Sequence, residues 1–453
     1  MSTMMPAPRS LNSSYLERTF HIQERGSTWR TEVLAGATTF LTMAYIVFVN
    51  PDILSEAGMP VPAVAAATCL SAAIGCILMG IIANYPIALA PGMGLNAYFA
   101  FTVVKGMGVP WRTALGCVFI SGCVFLLLTA AGIRQLIVNA IPRELFASVA
   151  AGVGLFVAFV GLRDAGIIVP NAATIVGMGN LRAPQTALAC VCLLTIAVLQ
   201  AWRVRTAMLL GILGTTAAGF ALGIVQWKPV HYRLTDLTAT AFQLDIRGAL
   251  HLKGSFGAGL LEVVFVFLFV DLFDNVGTLV AVTKKAGLVK PDGEIPRLNR
   301  ILFADATATL AGSMAGTSTV VSYIESAAGV AVGGRTGVAS IVTGLLFLMA
   351  LFVAPLVASI PIAATAPALI LVGALMISAV TEIEWADPMV AVPAFLTLIT
   401  IPLTFSIANG LAFGITSFAV LRLLRGQATR QDWMLFVLAA LFILRFIYMA
   451  KSY

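Results

Sequence analysis

Val264-Phe-Val-Phe-Leu-Phe-Val-Asp271-Leu-Phe-Asp274-Asn275-Val-Gly277-Thr278-Leu-Val-Ala-Val282 decides the reading of this chain. Two carboxylates sit inside a run whose other residues belong in hydrocarbon. A charged side chain at the centre of a bilayer costs on the order of 3 kcal/mol or more, so it is kept where it faces protein or water and does something there. At the α-helical period, Asp271, Asp274 and Thr278 stand at i, i+3 and i+7 and share one face. The run predicts a polar stripe aimed into a helical bundle.

The rest of the chain supplies the bundle. Its 453 residues are 60% hydrophobic and only 10% charged, against about 25% charged in a soluble chain. Fourteen apolar segments are candidate spans, with cores near 32–50, 62–83, 87–104, 113–133, 145–162, 185–202, 206–226, 258–283, 301–315, 317–333, 337–359, 365–380, 388–406 and 408–424. They predict an all-α polytopic membrane protein. A fifteenth apolar stretch, 433–449, contains Arg445 and reads as an interfacial helix or an extra span.

The first thirty residues are polar, carry Arg9, Arg18, Arg25 and Arg30, and show no apolar signal core. With the N-terminus inside and fourteen crossings, the inner side gathers about twice as many Lys and Arg as the outer, including Arg134, Arg143, Lys284, Lys285, Lys290 and Arg430. The outer side has Lys105, Arg163, Lys228, Arg233 and Lys253 among its few. This bias places both termini in the cytoplasm. The net charge of +7 is thereby a topology signal and calls for no nucleic acid.

Cys69, Cys76, Cys117, Cys123, Cys190 and Cys192 all lie in apolar segments, form no CxxC pair and read as small packing residues. His21, His231 and His251 lie in polar segments. Neither a metal site nor a cofactor is expected. HExxH and GxSxG motifs are also missing, which argues against a membrane enzyme.

Two segments cannot be ordinary spans. The third contains Ala90-Pro-Gly-Met-Gly-Leu-Asn96, with a proline and two glycines where a helix interior would be. The tenth contains Thr317-Ser-Thr-Val-Val-Ser322, which favours extended chain, before Tyr323-Ile-Glu325. Each is expected to start irregular or extended and then turn helical, with Asn96 and Ser322 as caps. Non-helical backbone at membrane depth is tolerated only where protein or a cavity covers it. Paired interruptions in corresponding positions of two halves point to a transporter site. The pairing is regular: 325 − 96 = 229, and the same offset carries Thr42 onto Asp271. Fourteen segments then divide as seven plus seven, and an odd number per repeat inverts one half relative to the other.

Several strings carry a family resemblance. Glu32-Val-Leu-Ala-Gly36 through Tyr45 and Asn50-Pro51, Leu89-Ala-Pro-Gly-Met-Gly-Leu-Asn96 through Phe101, Asp271-Leu-Phe-Asp274-Asn-Val-Gly277-Thr278, and Tyr323-Ile-Glu325 through Gly333-Gly-Arg335-Thr-Gly337 together resemble the azaguanine-like purine permease family. That family lies within the nucleobase–ascorbate transporter superfamily, and the match runs from about Gly26 to Arg425. The resemblance implies two inverted seven-span repeats with short strands in spans 3 and 10. It implies a cytosolic tail (1–30), a core domain from spans 1–4 (31–136) and 8–11 (257–362), and a gate domain from spans 5–7 (137–256) and 12–14 (363–425), before a C-terminal interfacial segment (426–453). It further implies import of adenine, guanine or hypoxanthine by proton symport across the cell membrane, an elevator-like movement of core against gate, and dimers. The family's functional positions carry over to Asn96, Asp271, Asp274 and Glu325, and Thr278 matches a substrate-side position of related uracil permeases.

The residue chemistry fits such a cargo. A purine edge alternates N–H donors with acceptors. Carboxylates accept from the N–H groups, and backbone N–H groups at half-helix starts donate to ring nitrogen or carbonyl oxygen. Asn96, Asp274, Thr278 and Glu325 are therefore the substrate-binding candidates, with Phe99 or Phe273 as stacking candidates. Asp271, Asp274 and Glu325 are the proton-coupling candidates, because burial and a neighbouring carboxylate both favour the protonated form.

Structural readings stand beside these. The aspartates could only order the bundle, Ser322-x-x-Glu325 matches a capping box, and Asn96 and Asp305 each suit a helix cap. Arg335 reads as a structural residue of its turn. The competing function is an anion or other small-solute carrier or channel on the same inverted-repeat fold. Three acids in the site and the short stretch after Leu424 disfavour it.

Overall fold

The computed structural model describes residues 15–132, 143–225, 234–252, 259–290, 295–429 and 432–449. Arg9, Arg134, Lys228, His231, Arg233, Lys253 and Arg430, used above for orientation or excluded as ligands, lie outside the described residues. Among those described, nine helices are long and apolar enough to cross a membrane. They are Trp29–Ser55, Val61–Ala83, Trp111–Ala130, Glu144–Asp164, Pro184–Ala201, Gly259–Lys285, Gly337–Ser359, Ile362–Glu382 and Ile407–Leu424. They coincide with predicted segments 1, 2, 4, 5, 6, 8, 11, 12 and 14.

The other five predicted segments are shorter, more polar or interrupted. The seventh, Ala207–Ala221, and the thirteenth, Pro388–Thr404, are short apolar helices. The ninth, Leu298–Ala315, carries Arg300 and Asp305. The third and tenth combine strand with helix. The stretch 433–449 forms a helix, Trp433–Met449, that packs on the fourteenth segment.

The interrupted segments behave as their composition requires. The third runs as strand β1, Leu89–Pro91, then Gly92, a short helix Met93–Ala97 and a wide π-helical continuation Tyr98–Gly106. The exposed hairpin between the fifth and sixth segments supplies β2, Ile168–Asn171, and β3, Ile175–Met178. The tenth segment runs as β4, Val320–Ser322, followed by the half-helix Ser326–Val332. The ninth helix feeds β4 through Gly316, whose φ of 98 suits glycine. There the N–H groups of Gly316 and Thr317 both close onto Gly312 O.

β1 and β4 pair antiparallel, Leu89 with Ser322, Ala90 with Val321 and Pro91 with Val320. Each strand still has an outer edge, and an unsatisfied backbone group in an apolar interior is costly. The preceding helix covers each edge with one side chain. On β1, the Cys76 thiol accepts from Leu89 N–H at 3.2 Å and donates to Leu89 O at 3.3 Å. On β4, the Thr309 hydroxyl accepts from Val320 N–H at 3.2 Å and donates to Val320 O at 3.0 Å. Cys76 in the second segment and Thr309 in the ninth occupy matching places in the two halves. Cys76 is thus more than the small packing residue its sequence context suggests.

Helix packing falls into two groups. The ninth and eleventh segments pack on the second, the fourth on the eighth and ninth, and the first on the eleventh and the half-helix of the tenth. The fifth packs on the twelfth, thirteenth and fourteenth, and the sixth on the seventh and twelfth. Gly154 and Gly373 mark a close approach of the fifth and twelfth, where a Cβ on Gly154 would stand 2.8 Å from Gly373 O. Among the described residues polar bonds join the groups at several points, and the 234–252 stretch also donates Phe242 N–H to Met314 O and Asp245 N–H to Arg112 O. Thr102 donates to Phe405 O at 2.6 Å, Thr365 to Asp52 at 2.8 Å, and Arg163 lies 3.8 Å from Glu56.

Removing an edge cover tests this arrangement. Thr309→Val leaves Val320 N–H and C=O without their partner, at about 1–3 kcal/mol. The detergent-solubilised variant is expected to melt clearly below wild type. Thr307→Val, which deletes a hydroxyl bonded only within its own helix, is expected to melt with wild type. Equal melting of the two variants contradicts the edge-cover role.

Candidate functional site

The eighth helix, Gly259–Lys285, brings its polar residues against β4 and the half-helix of the tenth segment. Its stripe divides. Asp271 faces a closed network: Asn275 donates one amide hydrogen to Asp271 Oδ1 at 2.6 Å and the other to Asp305 Oδ2 at 2.9 Å. Asn275 Oδ1 accepts from Ser322 N–H at 2.9 Å. That set of partners fixes the amide's orientation, since its nitrogen must meet carboxylates and its oxygen an N–H. All three side chains are buried. The network pins the eighth and ninth helices to the end of β4.

Asp274 belongs to a different neighbourhood. It is half-buried and close enough to Glu325 for the two carboxylates to act on each other electrostatically. Glu325 is also half-buried and immediately precedes the half-helix Ser326–Val332. Its Oε1 accepts from the Tyr45 hydroxyl at 2.6 Å. Tyr323, two residues before it, donates its hydroxyl to Pro91 O at 2.5 Å and so ties the tenth segment back to β1. Thr278 lies buried one turn beyond Asp274.

Asn96 joins a separate polar cluster. Its amide donates to Asn50 Oδ1 at 2.5 Å, and Asn50 donates to Thr68 at 2.7 Å and Thr317 at 3.0 Å. Asn96 Oδ1, although buried, has no hydrogen-bond partner among the described residues, and neither has Ser322 Oγ. Phe99 is fully buried; the Phe273 side chain lies outside the described residues. Among the described residues no group of three His, Cys, Asp or Glu comes together to hold a metal.

Three local expectations are corrected. Asn96 sits inside the helix Met93–Ala97, whose cap is Gly92, so it caps nothing. The Ser322-x-x-Glu325 capping box does not form, because Ser322 lies in β4 and the residue preceding the half-helix is Glu325. Asp305 lies well inside Leu298–Ala315 and is buried against Asn275, so it is no cap. Arg335 does prove structural: its guanidinium donates to Val330 O and Gly334 O, and Glu32 accepts from the N–H groups of Arg335 and Thr336.

Sequence reasoning missed Tyr45, Asn50 and Asn275 and misread Asp305 as a cap. Asn275 carried a usable signal, since it stands at i+4 from Asp271. The other three act across the fold, through partners distant in sequence.

The chain is similar to known proteins. A family model described as Permease family (Xan_ur_permease) matches residues 30–413. The chain is 44% identical to the adenine permease AdeP of Escherichia coli, over 96% of each chain. It is 45% identical to the guanine/hypoxanthine permease PbuG of Bacillus subtilis, over 95% of this chain and 99% of that one. Among solved structures, the transmembrane domain of the cyanobacterial bicarbonate transporter BicA superposes with a TM-score of 0.59 at 14% identity, covering 90% of this chain and 97% of that one. The last likeness establishes the inverted-repeat transporter fold.

The two neighbourhoods should separate in mutagenesis. Asn275→Leu leaves two buried carboxylates without their shared donor, a loss on the order of 3 kcal/mol. It is expected to lower the melting temperature far more than Asp274→Asn. A folded Asn275→Leu protein that melts with wild type contradicts the network's structural role.

Proposed function

The chain belongs to the Permease family, and from that premise we propose that it imports purine nucleobases by proton symport. It is a multi-pass membrane transporter rather than an enzyme, as its family and its relatives among permeases establish. The observation that carries the cargo is the half-buried pair Asp274 and Glu325 beside the β1–β4 crossing. Two acceptor groups on different segments suit the N–H donors along a purine edge. The names of AdeP and PbuG point to the same cargo class.

In this reading Asp274 and Glu325 hold the base, with Thr278 and Asn96 completing the polar lining. The otherwise unpartnered Asn96 Oδ1 supports an acceptor role there. Asp271 serves as the proton carrier. It shares one Asn275 amide with Asp305. A proton bound there would act on β4 through Asn275 and Ser322 without occupying the purine contacts. Segments 1–4 and 8–11 would move as a core past segments 5–7 and 12–14. The packing within each group supports that division. Both termini lie in the cytoplasm in this account. The anion-carrier alternative gains nothing from the site, whose acids repel an anion.

Uptake assays test the assignment. Asp274→Ala and Glu325→Ala are expected to abolish uptake of radiolabelled adenine and hypoxanthine while expression is retained. Normal uptake by either variant removes that residue from the site. Collapsing the proton gradient is expected to stop accumulation. Accumulation that follows a sodium gradient instead refutes proton coupling.

A further inference from the structure

The first membrane segment is broken where it passes Glu325. Trp29–Met43 and Ile46–Ser55 are separate helices joined by Ala44 and Tyr45. At the join Val47 N–H bonds to Ala44 O at 3.2 Å and Phe48 N–H to Tyr45 O at 3.0 Å, a tighter i to i+3 turn inside an α-helical span. A mid-span stretch of this kind often marks a functional position. Tyr45 is 1% exposed, and its one polar atom is the hydroxyl that reaches Glu325 Oε1 at 2.6 Å.

We propose that Tyr45 is a positioning residue for the purine, holding one oxygen of Glu325 so that the other is presented to a ring N–H. This rests on the assignment of Glu325 to the purine made above. Glu325 makes no side-chain cap bond to the half-helix it precedes; within its own segment its carboxylate meets only its own main-chain N–H among the bonds described. A long side chain with several rotatable bonds would lose rotamer freedom on binding the base, which weakens affinity. The phenol removes that freedom beforehand. A charge-assisted bond to a carboxylate is among the stronger neutral-donor contacts, and its donor leaves one oxygen facing away. Tyr323 also lies close enough to Glu325 to interact electrostatically. It cannot substitute, because its hydroxyl is committed to Pro91 O across the strand pair. Tyr45 is therefore the residue that converts Glu325 from a mobile acid into a fixed acceptor.

The test is uptake of radiolabelled hypoxanthine by purified protein in proteoliposomes. Tyr45→Phe keeps the ring and deletes only the donor. Its Km for hypoxanthine is expected to rise about ten-fold, with Vmax within about two-fold of wild type and the melting temperature unchanged. Preference for hypoxanthine over its 1-methyl and 9-methyl derivatives should shrink for whichever N–H meets Glu325. A merely structural tyrosine would instead lower Vmax and the melting temperature while leaving Km and the methyl-derivative preference in place, and that result overturns the proposal. So does an unchanged Km in a folded variant. The two failures separate: wild-type protein that takes up no purine overturns the transport reading, whereas normal wild-type uptake with an unchanged Tyr45→Phe Km overturns the positioning role alone.

Discussion

Main-chain N–H and C=O groups at membrane depth must find partners inside the protein, and in this chain six strand residues create that demand. β1 and β4 satisfy part of it by pairing with each other. Cys76 and Thr309 cover the outer edges. Ser326 accepts from Ala88 N–H, and Asn275 accepts from Ser322 N–H. Once these bonds are fixed, the second, third, eighth, ninth and tenth segments have little freedom to sit elsewhere. Asn275, which covers the end of β4, also donates to Asp271 and Asp305. At that point packing and chemistry are set by the same hydrogen bonds.

This coupling explains why the acids of the eighth helix have different surroundings. Asp271 and Asn275 are one turn apart and together meet Asp305 and the end of β4. Asp274, between them in sequence, feels the Glu325 carboxylate electrostatically instead. A single helix thus presents a structural network and an accessible carboxylate within four residues. The proposed separation of proton carrier from purine contact follows from that geometry. On that proposal a proton on Asp271 would alter the charge behind β4, and β4 leads directly to Glu325.

Much of the architecture was legible in the sequence because it rests on periodicity and on residues with unusual backbone demands. The Pro91-Gly92-Met-Gly94 and Thr317-Ser-Thr-Val-Val runs identified both interrupted segments, and their spacing identified the repeat. The acids were legible because charge in an apolar run is costly wherever it falls. What was not legible depends on which distant segment lies opposite. Asp305 resembled a cap because position along a helix cannot be read from one residue, and Asn96 resembled a cap for the same reason. Tyr45 looked like any aromatic in an apolar span, since its partner is 280 residues away. The Ser322 capping pattern failed because Ser322 was recruited into a strand by Leu89 and Asn275, neither of them local.

The central claim is that the acids beside the strand crossing hold a purine. Equilibrium binding of radiolabelled hypoxanthine to the purified protein in nanodiscs measures it most directly, with unlabelled adenine, guanine and bicarbonate as competitors. The account predicts saturable binding that purines displace and bicarbonate does not, and that Glu325→Gln weakens severely. Absence of saturable purine binding by folded wild-type protein, or displacement by bicarbonate, would contradict it.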